Sequence, residues 1–133
     1  MSKKVVRTKG APIPRGPYSQ AVRAGPYLFV AGQGPFEPET GRMVTGGIVE
    51  QTKRTLENVK SILTAAGLSL DDVVKVSVFL KDTKDFPKMN EVYQTYFTKE
   101  QPARTTVEAN MVVDGMLIEV DAIAYKSRLL HAE

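Results

Sequence analysis

A chain of 133 residues, 42% hydrophobic and 25% charged, is long enough for one domain, here 1–133, whose core needs no covalent staples. The absence of cysteine excludes disulfides, thiolate metal sites and a cysteine nucleophile, and fits a reducing cytoplasm; no apolar run approaches the ~18 residues of a membrane span. The formal charge of +3 is uneven, because residues 1–36 hold six basic residues and no acid: a solvated edge is the first meaning of such an imbalance, and attraction to nucleic acid the second.

Val5-Val6 starts the chain as a short strand, and Pro12, Pro14 and Pro17 then break any amphipathic helix. Eight of the ten glycines and six of the eight prolines fall between Gly10 and Gly47, so this part is rich in turns. Within it "QAVRAG" and "YLFVAG" read as strands around a Gly25-Pro26 turn. "YLFVA" is apolar on both faces and is expected to be buried on both sides.

From Gly47 the period changes. Ile48, Thr52, Thr55, Leu56, Val59, Ile62, Leu63 and Ala66 recur at three and four residues, one stripe of a long helix. Thr45 is the expected N-cap, Gly67 the C′ residue, and Glu50–Arg54 an i,i+4 pair. "VVKVSVFL" follows, with Val74, Val76, Val78 and Leu80 on one face of a strand. Asp85 can cap a second helix with Pro87 in its first turn and a stripe of Phe86, Met89, Asn90, Tyr93, Tyr96 and Phe97.

Strands 103–109 and 117–125 close the chain as a pair, joined through "NMVVDGM" with its Asp114-Gly115 turn signal. The order is β-β-β-α-β-α-β-β, and a mixed sheet with both helices on one face is the economical packing. That leaves an apolar sheet face uncovered, the signature of a subunit interface and of clefts between subunits.

Elimination narrows the chemistry. The sole histidine, His131, lies three residues from the C-terminus, which disfavours Ser-His-Asp arrangements and histidine metal sites. "GQG" at Gly32–Gly34 lacks the third glycine of a dinucleotide fingerprint, with Glu37 in its place. In "QPARTTVEA", Arg104, Thr106 and Glu108 share one face, and Ala103, Thr105 and Val107 the other. Arg104 is then either a solvated arginine on the wet face or a fork that holds a carboxylate by two parallel hydrogen bonds. In "MLIEVDAIAY", Ile118, Val120, Ala122 and Ala124 form the core face and leave Glu119 and Asp121 opposite, which allows Glu119 onto Arg104's side. A structural salt bridge between them competes with a shared site. Asn90, polar within an apolar stripe, either finds a partner or faces solvent.

"RGPYSQAV" at 15–22, "VAGQGP" at 30–35, "QTKRTLENVKSILTAAG" at 51–67, "NEVYQTYF" at 90–97, "PARTTVE" at 102–108 and "IEVDAIA" at 118–124 together resemble the Rid (YjgF-like) family of enamine/imine deaminases, over roughly residues 5–126. The resemblance implies a chorismate-mutase-like α+β fold, a mixed sheet with two helices on one face, assembled as a homotrimer with sites between subunits. It implies hydrolysis of 2-aminoacrylate and related 2-imino acids, released by pyridoxal-phosphate enzymes, to a 2-keto acid and ammonia, with no cofactor and no metal. It implies, further, that Arg104 grips the substrate carboxylate, that Glu119 holds or polarises the attacking water, that Tyr18 joins these two at the catalytic centre and lines the pocket, and that Asn90, Thr106 and the backbone N–H of Gly32 bind the substrate. Thr106 stands where such deaminases often carry cysteine, and "AGQGP" departs from the commoner S-G-Q, a change that bears on pocket shape.

Family members have also been described as translation inhibitors or ribonucleases, and a trimer that binds small carboxylates without turnover is a third reading. Against RNA stands the lack of a His/Lys acid–base constellation and of an aromatic stripe on a basic face.

Overall fold

The computed structural model describes residues 2–127; His131 lies outside them. The strands are β1 (Lys4–Val6), β2 (Ala21–Ala24), β3 (Tyr27–Gln33), β4 (Val73–Leu80), β5 (Ala103–Glu108) and β6 (Ile118–Tyr125), and the helices α1 (Ile48–Ala65) and α2 (Phe86–Tyr96). One six-stranded sheet has the order β1-β2-β3-β6-β4-β5. β4 and β5 run parallel, and every other neighbouring pair is antiparallel. The expected succession of elements is therefore present, with one difference in pairing. β5 and β6 do not form a hairpin, because β4 lies between them and bonds both. β6 alternates apolar residues that are sealed on one side (Ile118, Val120, Ala122, Ala124), which suits a central strand, whereas β5 has no fully buried side chain and takes the edge.

Both helices lie on one face. Leu56, Val59, Ile62 and Leu63 of α1 and Met89 of α2 are 0% exposed against Leu28, Val76, Val78 and Ile118 of the sheet. Each such side chain contributes roughly 1.5–3 kcal/mol by leaving water. α1 begins at Gly47 rather than at Thr45, because the Glu50 carboxylate reaches back to accept from the Gly47 N–H at 3.0 Å. Glu50 is thus committed to the cap, and Arg54 donates instead to Asn58 Oδ1 at 3.0 Å. The helix ends as its sequence requires: Gly67 has φ +84°, its N–H donates to Thr64 O at 3.0 Å, and Leu68 N–H donates to Leu63 O at 2.9 Å. Asp85 occupies the N-cap of α2 without a side-chain cap bond, and Asp82 caps the preceding turn by accepting from Lys84 N–H.

The other sheet face is open in the single chain. Tyr27 (42% exposed) and Phe29 (44%) of β3 stand there beside Tyr125 of β6, so "YLFVA" is sealed on its helix side only.

Candidate active site

The strand registers decide where the two charged candidates point. Arg104 pairs with Val76 and Thr106 with Val78, both sealed beneath the helices, so these two side chains take the helix-covered face. Glu119 pairs with Phe79 and alternates with buried Ile118 and Val120, which sends it to the open face. Arg104 and Glu119 therefore leave the sheet on opposite sides. They make no salt bridge within one chain, and the expectation that they share a side is corrected. The phase of β5 relative to the core is what the sequence left open.

Arg104 sits at the sheet edge against α2. Its Cζ lies 4.6 Å from the Tyr93 ring centroid and 5.7 Å from that of Phe86, so it is not simply solvated. The concavity around it is lined by Asn90, Tyr93, Gln94, Gln101, Pro102 and Arg104. Asn90 is thus beside Arg104 and half-buried, while Thr106 lies two residues further along the same strand face.

Glu119 belongs to a second concavity with Tyr18, Gly32, Phe36, Val113 and Met116. A register shift between Val30 and Gln33 bulges β3 at Gly32. A Cβ on Gly32 would overlap the Glu119 carboxylate and stand 3.0 Å from its Cδ, so glycine is what lets the acid lie over the backbone. Burial, and secondarily the charge of Asp121, pushes the Glu119 carboxyl above its ordinary range. Tyr18 is half-exposed at the rim, its hydroxyl accepting from Arg15 N–H at 3.1 Å. Arg15 is itself held over the Phe36 ring at 4.0 Å and donates to Gly41 O at 2.6 Å.

Three buried amides fix the loops of this second concavity, and sequence reasoning assigned them nothing. Gln20 accepts from Thr8 N–H and donates to the carbonyls of Thr8, Ala11 and Pro12. Asn58 donates to Gly34 O and Phe36 O, and Gln51 donates to Gly115 O and accepts from Leu117 N–H. A polar residue at a helix-stripe position, such as Gln51 or Asn58, was the available signal. Tyr93 falls within the apolar stripe of α2, where nothing in the sequence marks its place beside Arg104. Among the described residues no group of three or more His, Cys, Asp or Glu could hold a metal ion. No helix there is long and apolar enough to cross a membrane.

Chemically, one concavity offers a guanidinium for an anion, and the other a partly desolvated carboxylate beside a glycine backbone. The profile of the family described as Endoribonuclease L-PSP matches residues 8–126. A RutC family protein of Pyrococcus abyssi is 58% identical over 126 residues, covering 95% of this chain and 99% of that protein. A mouse protein named 2-iminobutanoate/2-iminopropanoate deaminase is 40% identical over 130 residues, covering 98% and 96%. The crystal structure of Escherichia coli TdcF with bound serine superposes with a TM-score of 0.87 at 39% identity, over 93% of this chain and 99% of that one. With matches of this extent and a mixed sheet carrying two helices on one face, the chain belongs to the Rid, or YjgF-like, family.

Proposed function

We propose that this protein is a hydrolytic deaminase of 2-imino acids and their enamine tautomers, 2-aminoacrylate among them. The observation that carries the reading is the division of groups: a guanidinium on one face and a raised carboxylate on the other. A second copy of the chain can bring them together. In the proposed homotrimer, Arg104 of one protomer closes over the Glu119 concavity of its neighbour, and the open apolar face around Phe29 and Tyr27 is buried in the assembly. The name of the mouse relative and the serine bound to TdcF, an amino acid with a carboxylate, support this reading.

The imine carbon is already electrophilic, so the site has only to orient reactants and manage charge. Arg104 holds the substrate carboxylate through its fork. Glu119, as carboxylate, orients a water and takes its proton as the oxygen bonds to C2. The proton passes on to the nitrogen to give a carbinolamine; its hydroxyl proton then moves through Glu119 to the amine, the C–N bond breaks as the C2 carbonyl forms, and the products are ammonia and the 2-keto acid. Tyr18, Asn90, Thr106 and the Gly32 backbone shape the pocket, and no step calls for a cofactor or metal. The cytoplasm, where pyridoxal-phosphate enzymes release such enamines, is the proposed location.

The test generates enamine from serine with a dehydratase and follows keto-acid appearance. Acceleration proportional to added protein is expected; an unchanged rate overturns the reading. The family description favours an RNA-directed activity as the second reading, with Arg7 and Lys9 of the N-terminal segment as phosphate contacts. Cleavage of RNA without enamine turnover would select it. Carboxylate binding without turnover would select the non-catalytic trimer.

A further inference from the structure

We propose that Tyr93, with Phe86 beside it, is a positioning residue: an aromatic cradle on α2 that fixes the plane of the Arg104 guanidinium so that its fork is presented to a carboxylate. The inference rests on the reading of Arg104 as the substrate grip. A guanidinium on an edge strand has a long, freely rotating stem, and its donors are useful only if their plane is set before substrate arrives. Among the described residues no carboxylate pairs with Arg104; its recorded neighbours are the Tyr93 ring at 4.6 Å and the Phe86 ring at 5.7 Å. Both distances lie within the ~6 Å reach of a cation–π contact. An ion pair would occupy the fork. A ring contact instead leaves the N–H donors available to an incoming carboxylate.

The inner wall of the cradle is closely packed. Tyr93 is 5% exposed and packs on Phe97, with ring centroids 4.6 Å apart. Its hydroxyl is buried and has no partner at ordinary hydrogen-bond distance among the described residues. Burial raises that phenol, while the charge of Arg104 and a longer side-chain interaction with its guanidinium pull the other way, so the hydroxyl as well as the ring senses Arg104. Phe86, 41% exposed at the start of α2, is the outer wall. Asn90, one helical turn from both, lines the same concavity.

Ring and hydroxyl separate by substitution. Tyr93→Phe keeps the ring and removes a hydroxyl that makes no hydrogen bond of ordinary length, so KM should stay within about twofold if the ring is what orients Arg104, and the melting temperature should hold or rise. Tyr93→Leu should raise KM for a 2-imino acid about five- to tenfold with kcat little changed. It should weaken calorimetric binding of 2-oxobutanoate, the probe, by the same factor, and leave turnover of an imine lacking a carboxylate as it is. Phe86→Leu, at a half-exposed site that does not threaten folding, should give the same pattern at about two- to threefold. An unchanged KM and probe affinity in both leucine variants overturns the cradle, as does equal impairment of the carboxylate-free imine. Arg104→Lys in parallel separates the two levels. If it too leaves KM and probe affinity unchanged, the grip itself is wrong; if it weakens both while the leucine variants do not, only the cradle is.

Discussion

On the covered side of the sheet, Val76, Val78, Ile118 and Val120 are sealed, and Arg104 emerges beyond them against the rings of Tyr93 and Phe86. On the open side, Tyr27 and Phe29 keep more than 40% of their surface, and Glu119 lies over the bulge at Gly32. The first region presents a cation held against aromatic rings. The second presents a carboxylate from a partly dry concavity whose own cation, Arg15, is turned onto the Phe36 ring and Gly41 O. The covered face is thus built for stability up to its edge, whereas the open face keeps apolar surface that the proposed assembly would cover with another copy, joining the two regions.

The open-side half should break most severely. Glu119→Gln keeps the shape but cannot take a proton, so kcat should fall about a hundredfold or more. A wild-type rate would make Glu119 a bystander. The same variant has a stability signature of opposite sign. Because its carboxyl is raised above 4.5 in the fold, Glu119 keeps its proton to higher pH when folded than when unfolded. Stability contributed by the protonated acid is therefore lost as pH rises from the ordinary value through the raised one. In the unassembled chain at pH 7 Glu119→Gln should melt higher, by no more than about 3 °C, and the difference should close below pH 4.5; in the proposed assembly the neighbouring Arg104 would shrink or reverse that difference. In the wild-type protein kcat/KM should fall as pH drops through the raised pKa, since the carboxylate is the working form.

The covered-side half comes next. Arg104→Lys keeps the charge and loses the planar fork, so catalytic efficiency on a 2-imino acid should drop at least about tenfold. A carboxylate-free imine should be unaffected and the melting temperature little changed. Lower stability with a substrate-independent loss of activity would return Arg104 to a structural role. Thr106→Ala should matter least, at about threefold or under, because the mechanism uses no side-chain nucleophile there; a loss matching that of Arg104→Lys would contradict this ordering.

Much of the fold was legible because burial writes itself into period. The stripe of α1 from Ile48 to Leu63 and the alternation of β6 from Ile118 to Ala124 mark their inner faces, and the structure seals those residues. β5 carries no such mark. Ala103, Thr105 and Val107 are exposed and Arg104 and Thr106 only half-buried, so nothing in "ARTTVE" says which face meets the helices. Its side was therefore unreadable, and so was its partner, since alternation specifies a strand without naming its neighbour. The N-cap moved from Thr45 to Gly47 for a comparable reason: Glu50 closes the cap from inside the helix. Tyr93 and Asn58 show the limit within helices, where one stripe position can be core and also hold up a site.

The measurement that bears most directly on the joined halves mixes two crippled chains. Arg104→Ala and Glu119→Gln, each nearly inactive alone, are unfolded together in equal amounts, refolded and assayed on dehydratase-generated enamine. If Arg104 of one copy serves Glu119 of another, random assembly gives both intact groups to about a quarter of the sites, and activity should return to about a quarter of the wild-type level. Sedimentation of the mixture should give about three times the 14.6 kDa chain mass. If both groups of a site came from the same chain, every site would lack one of them. Activity remaining at the level of the separate variants, in a mixture shown to assemble, would contradict a site built between copies.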